Sequence, residues 1–592
     1  MKYLLLILVI SFVACKLSNT NPTKEKNTEL AALFDNYYEE RLKLFPLEAT
    51  GIGDVRYNNL LPIEFTDSYR DTIKTFYSKY LQYVTKYDRE NLDDDDKISY
   101  DIFKREMSLN IEGLKYHDNY IPFQQFWGLP LTMGQLGSGE GNQPFKTIKD
   151  HEDWLARAER FSAWADSAII YFRKGIATGF VLPRSLVVKM IPQMESMQAT
   201  DSTNIFFGPI KKFPSDINDA DKQRLTGNYN KLITEKLVPS YKRLADFLKN
   251  EYLPKSRATS GIGDLPEGKN FYTYLVKVST TTNKTPEEIY QTGLSEVARI
   301  KRIMDSVKNA VGFKGDIPAF FEHMKTGKEF MPYKTPEEVI GAFKNIHSTM
   351  EPNVKKMFNN TPKTPFEIRQ TEAFRAASAS AEYNQGSPDG SRPGIFYVPI
   401  LDAAQFNTTS GMESLFLHEA IPGHHYQISL QQEDTMLPKF RRFGGNNAYV
   451  EGWALYCESL GKELGLYTDP YQYMGALGDE MHRAIRLVVD VAIHTKGMTH
   501  EEAIKYMMEN EAISEQGATA EIERYMAIPS QALGYKIGAM KIQELRNKYQ
   551  QELGSNFKLA SFHDNILNEG AMPLEVLETK MIEWAKRVGS KK

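Results

Sequence analysis

From about Leu30 onward, apolar and aromatic residues recur at spacings of three and four, as in ELAALFDNYYEERLKLF, SYRDTIKTFYSKYLQYVTKY and DWLARAERFSAWADSAIIYFRKGIA. A stripe of that period is buried by one side of an α-helix and is incompatible with the two-residue alternation of a strand. With 592 residues, 41% of them hydrophobic, the chain can build more than one core. A mainly α, large, multi-lobed fold follows. The segment IFYVPI at 395–400 departs from the pattern and predicts a short strand, hence a small β-sheet beside the helices near the cleft. Pro- and Gly-bearing stretches at 256–269 and 384–394 mark soft sub-boundaries within a body spanning 31–588. The cluster GQLGSGEGNQPF at 134–145 lacks the order of a phosphate-binding loop and predicts a flexible loop. The run Asp93 to Asp96 lacks the alternating ligands of a calcium loop and predicts a solvated helix start.

The opening MKYLLLILVISFVAC places one Lys before an apolar run too short to span a bilayer, the pattern of an export signal over residues 1–14. Its end, Val13-Ala14-Cys15, resembles a lipobox, in which the Cys is lipidated and becomes the mature N-terminus. Residues 15–30 then read as a flexible tether. The expectation is an exported bacterial lipoprotein, held on a membrane through acyl chains on Cys15 and facing the periplasm or the cell exterior. The other cysteine, Cys457, cannot build a thiolate zinc site alone. Lys and Arg number 72 against 76 Asp and Glu, with no large basic block, which argues against nucleic acid as a partner.

The densest chemical segment is Met412-Glu-Ser-Leu-Phe-Leu-His418-Glu419-Ala-Ile-Pro422-Gly423-His424-His425. Imidazole and carboxylate suit a catalytic Zn²⁺ with an open position, and a His followed directly by Glu pairs a ligand with a general base, as in HExxH. Here Pro422 occupies the position of the second His. In an unbroken helix, six residues turn through about 600° and seven through about 700°, so His425 nearly eclipses His418. Pro422 disturbs that regularity and predicts a kink or bulge, which would bring His424 to the ligand position instead. His424 is the preferred ligand, with His425 orienting the site or touching substrate. In YVEGWALYCESLG, Glu451 and Glu458 are seven apart and share a helical face, expensive for two carboxylates unless they are paired or metal-bound. Glu451 fits as the third ligand and Glu458 as the partner of a ligand histidine.

Further on, Asp479, Arg483, Arg486, Asp490 and His494 form one charged stripe through apolar surroundings. Arg486 and Asp490 are spaced for an i,i+4 pair, His494 for the same cavity, and an Arg for a substrate carboxylate. The segment EIERYMAIPSQALGYKIG supplies Arg524, Tyr525 and Tyr535; Tyr535 is the first choice and Tyr525 the second for a donor to a developing oxyanion. His563 reads as a packed, hydrogen-bonded residue.

HEAIPGHHYQ (418–427), EGWALYCE (451–458), RLVVDVAIH (486–494), RYMAIPSQALGYKIG (524–538) and FHDNILNEGAMPL (562–574), with DGSRPGIFYV ahead of them, resemble the bacterial DUF885 family. The resemblance covers nearly the whole mature chain. It implies a helical, gluzincin-like zinc peptidase fold, one Zn²⁺ per chain on His418, His424 and Glu451, and Glu419 as general base. A chain dominated by long helices suits a deep channel between lobes, so the expected substrates are short peptides. The rivals are a metal-dependent hydrolase of another amide or ester, and a lipid-anchored binding protein that keeps a metal without catalysis.

Overall fold

The computed structural model describes residues 26–372, 380–387, 390, 392–409 and 411–590. Cys15, the signal segment and most of the expected tether lie outside them. The described chain is mainly α. Several helices begin where the sequence supplies a side-chain cap. Asp93 accepts the N–H of Asp96 at 2.7 Å to open the helix Asp94–Gly113, so the acidic run is a helix start as expected, but not a fully solvated one: Asp96 is buried and accepts the N–H of Asn27 at 2.7 Å. Thr285 and Thr499 form capping boxes with Glu288 and Glu502.

Two hydrophobic cores organise the molecule. One joins the N-terminal helices Thr28–Leu44, Asp67–Val84 and Asp94–Gly113 to the C-terminal helices around Trp453, Leu545 and Trp584. The other is built around Trp154, Phe172, Tyr241 and Ile300. The helix Pro470–Thr495 belongs to both: Leu487 and Val491 face the first core, and Met481, Ile485 and Val489 the second. Its charged stripe therefore runs between two packed layers.

The sheet has three strands: β1 (Phe366–Gln370), β2 (Glu382–Asn384) and β3 (Gly394–Val398), in the order β1-β3-β2. β1 runs parallel and β2 antiparallel to β3. Strand β3 is the one read from IFYVPI. The glycine cluster is only partly a loop. Its first residues close the helix Leu129–Gly137, where Gly137 packs against Trp154 and Phe206 and so draws the segment into the second core. His563 is packed as expected, with Nδ1 donating to the Met357 carbonyl at 3.0 Å and Nε2 accepting from Tyr456 at 2.8 Å. Burial pushes it down to about 3.

Candidate metal centre

The helix Met412–Glu419 stops one residue after His418, and a second helix, His424–Glu433, starts at the next candidate ligand. Between them lies a turn containing a cis Ile421–Pro422 peptide. The kink or bulge expected from the sequence is thus a complete break, and helical phase does not carry across it. Two features hold the turn. The Pro422 carbonyl accepts from Trp453 Nε1 at 2.8 Å. At Gly423 any Cβ would collide with the backbone of Leu417 and His418, so only glycine permits this close approach.

The break separates the two adjacent histidines. His424 turns toward His418, their rings perpendicular with centroids 4.7 Å apart. His425 turns away, onto Phe366 and Tyr383, with Nδ1 3.0 Å from the Tyr383 hydroxyl. Burial lowers His425 to about 4, so the ring is neutral.

Glu451 comes from the helix Asn447–Ser459, which is pressed onto the helix Leu533–Leu553. A Cβ on Gly452 would lie 2.6 Å from the backbone of Gly538, so the two glycines let the helix backbones touch. That contact sets the depth at which Glu451 stands. Its Oε2 lies 3.5 Å from His418 Nε2 and 3.6 Å from His424 Nε2. One ligand atom from each of the three residues lies within 4.8 Å of the others.

These separations decide between an ion-pair cluster and a metal cage. Nitrogen and oxygen ligands at 2.0–2.2 Å in a tetrahedron are about 3.3–3.6 Å apart, which matches the two measured edges and exceeds the usual N–H···O distance. The outer support also fits. His418 Nδ1 donates to Glu458 Oε1 at 2.7 Å, which leaves Nε2 unprotonated and aimed at the cluster. Without a cation the site draws in a proton instead. Burial opposes charge on His418, yet the neighbouring carboxylates of Glu451 and Glu458 outweigh it and raise the imidazole to about 10. Burial likewise opposes charge on Glu451, and the two histidines nonetheless hold it well below the usual carboxylate range. The set His418, His424 and Glu451 is therefore a candidate site for a divalent cation.

Glu419 follows His418 directly, and its Oε2 accepts the backbone N–H of Tyr383 in β2 at 2.9 Å. Tyr383 in turn meets His425 through its hydroxyl, so His425 bears on Glu419 through the sheet. Sequence reading missed Tyr383, because its contact to Glu419 uses a backbone N–H that any residue but proline carries.

The stripe does not pair with itself as its spacing suggested. Arg486 does not reach Asp490. Its Nε donates to Tyr525 at 3.0 Å and its Nη2 to Glu521 at 3.2 Å, while its guanidinium lies 4.7 Å from the Tyr535 ring centroid. Asp490 accepts from Tyr272 at 2.6 Å and from the backbone of Ser530 at 3.1 Å. Both His494 nitrogens go to backbone, Nδ1 accepting from Ile262 and Nε2 donating to the Tyr525 carbonyl, each at 3.0 Å. Asp490 and His494 thus tie helices together. Asp479 sits nearer the ligand helix, accepting from Ser414 at 2.6 Å, with Arg483 one turn on at 3.8 Å. Of the two tyrosines, Tyr525 is fully buried with its hydroxyl committed to Glu521 at 2.6 Å, whereas Tyr535 is half-buried. Glu521, also within 3.5 Å of His482, was not singled out from the sequence. Its signal was local: it stands three and four residues before Arg524 and Tyr525.

A cavity of about 750 Å³ reaches this region through Glu458 and is walled by Tyr467, Tyr473, Glu480 and Lys536; none of His418, Glu419, His424 and Glu451 lines it. Cys457, next to Glu458, is buried and unpaired, and burial holds its thiol well above the usual range.

A helical scaffold around a two-His, one-Glu cluster defines the class of this protein. The chain belongs to the DUF885 family, bacterial proteins of unknown function, whose profile matches residues 46–581. No functionally curated protein matches it. A Colwellia psychrerythraea protein described as a lipoprotein is similar in structure, with 28% identity and a TM-score of 0.84, covering 94% of this chain and 99% of that one. A Shewanella oneidensis protein, described as a lipoprotein of unknown function, shares the fold at 20% identity and a TM-score of 0.75, covering 93% and 99%. Among the described residues, no helix is long and apolar enough to cross a membrane.

Proposed function

We propose that this protein is a lipid-anchored, zinc-dependent peptidase acting on short peptides outside the cytoplasm. The observation that carries the reading is the convergence of His418, His424 and Glu451 at tetrahedral ligand spacings, with Glu419 beside them. When bound there, a Zn²⁺ ion supplies Lewis acidity, polarising a carbonyl and lowering the pKa of water from 15.7 toward roughly 7. Glu419 accepts the proton of the attacking water and delivers it to the leaving amine. The Tyr383 N–H steadies the Glu419 carboxylate through Oε2. Tyr535 is the preferred donor to the developing oxyanion, because the Tyr525 hydroxyl is spent on Glu521. The lipoprotein descriptions of two structural relatives support Cys15 as the anchor.

The test is metal analysis and peptide-library hydrolysis with the purified protein and Glu419→Gln. The expected result is about one zinc per chain in both proteins and hydrolysis only in wild type. Peptide turnover unchanged by the substitution would reject Glu419 as base; silence on peptides with turnover of esters or acyl-amides would reject the peptidase reading.

A further inference from the structure

Two guanidiniums, those of Arg486 and Arg524, share one carboxylate. Glu521 receives Arg486 through Oε2 at 3.2 Å and Arg524 through Oε1 at 3.4 Å, and no other described carboxylate pairs with either. Their remaining donors are under-used: Arg486 Nη1 and Arg524 Nε are buried without an acceptor among the described residues. Leaving charged N–H groups unpaired is costly, so the cluster is short of an anion. Arg486 is 5% exposed and supplies positive charge from beneath, while the Arg524 side chain is 18% exposed and can be reached from outside.

The cluster is connected to the metal centre. Arg524 Nη2 donates to Gln531 Oε1 at 2.9 Å, and the Gln531 amide donates to Asn447 Oδ1 at 3.1 Å. Asn447 precedes Glu451 by four residues, one helical turn or about 6 Å. Tyr535 lies four residues after Gln531 in sequence, in the helix that follows it, with its ring over Arg486. Beside Arg524, the 46% exposed ring of Phe126 lies 5.7 Å from the guanidinium, offering an apolar surface next to the charge.

We propose that Arg524, backed by Arg486, binds the free α-carboxylate of a peptide substrate, so that cleavage takes place near the C-terminus. This rests on the peptidase reading and sharpens it from peptides in general to peptides with a free C-terminal acid. Arg524 is the contact and Arg486 the positioning charge.

The experiment uses peptides of one sequence ending in a free acid or an amide, plus an amidated peptide with a Glu side chain near its end. Equilibrium binding to the zinc-loaded Glu419→Gln protein is measured beside hydrolysis by wild type and Arg524→Gln. The acid is expected to bind at least about tenfold tighter than the amide, to release short C-terminal products, and to lose most of that preference in Arg524→Gln. Equal binding of acid and amide overturns the proposal even if peptides are hydrolysed. A clear binding preference without any hydrolysis would instead sink the peptidase reading and keep the anion site. Full recovery by the Glu side chain overturns the assignment to the α-carboxylate. Because Arg524→Gln could disturb folding, Arg524→Lys, which keeps the charge and loses the fork, provides a second reading: an unchanged preference with Lys and Gln alike overturns the role of Arg524.

Discussion

Glu458→Ala should weaken metal binding although Glu458 is not one of the three candidate ligands. In the native protein its Oε1 receives His418 Nδ1 at 2.7 Å, and Glu458 also borders the cavity, so water that replaces the carboxylate can fill the space without holding the ring in place. Removing it frees the His418 ring to rotate or to change tautomer, which would place a proton on the nitrogen that faces Glu451. Losing such a supporting carboxylate typically costs 10- to 100-fold in affinity, or about 1.4–2.7 kcal/mol. At metal concentrations 100 times the native dissociation constant, binding stabilises the fold by about 2.7 kcal/mol; a hundredfold weaker site retains only about 0.4 kcal/mol. The assay is chelator competition for zinc, paired with chemical denaturation with and without metal, since the metal-dependent increment cancels the cost of the substitution to the apo fold. Glu458→Gln separates two contributions: its amide oxygen can still accept from Nδ1, so an affinity near wild type assigns the effect to orientation, and one near Ala assigns it to charge. An affinity for Glu458→Ala within twofold of wild type would refute a supporting role for Glu458.

Three further outcomes are expected. Trp453→Phe removes the donor to the Pro422 carbonyl and leaves part of the indole space empty; it should cost about 2–4 kcal/mol in denaturant unfolding and loosen metal binding, and an unchanged zinc affinity would show that the turn holds without it. Gly452→Ala drives a Cβ into the Gly538 backbone and should destabilise by about 1–3 kcal/mol or more; a thermal midpoint unchanged from wild type would contradict the direct backbone contact. His418 in the metal-free site is raised to about 10, so at neutral pH it holds a proton that the metal must displace. Affinity should therefore rise with pH by up to about tenfold per unit toward pH 10, and calorimetry in buffers of different ionisation enthalpy should find close to one proton released per ion near pH 7; no release would refute the protonated apo site.

What could be read from the sequence was whatever depended on the phase of a single unbroken element. Glu451 and Glu458 are seven apart on one helix, and both reach the histidine cluster as their spacing implied. Phase failed where the chain broke. In a continuous helix His425 would have stood over His418, and only the turn at Pro422, closed by a tryptophan 31 residues later, brings in His424. It failed again for Arg486 and Asp490, correctly spaced for each other but placed between two cores, where Tyr525, Glu521 and Tyr272 offer better-packed partners. The EGWA segment shows why motif residues without chemistry of their own matter. Glu451 contributes the carboxylate, Gly452 lets the helix approach its neighbour, and Trp453 fastens the turn from which His424 emerges. Three consecutive residues thus couple one candidate ligand to the position of another, so a substitution at Gly452 or Trp453 acts on metal affinity while every ligand atom is retained.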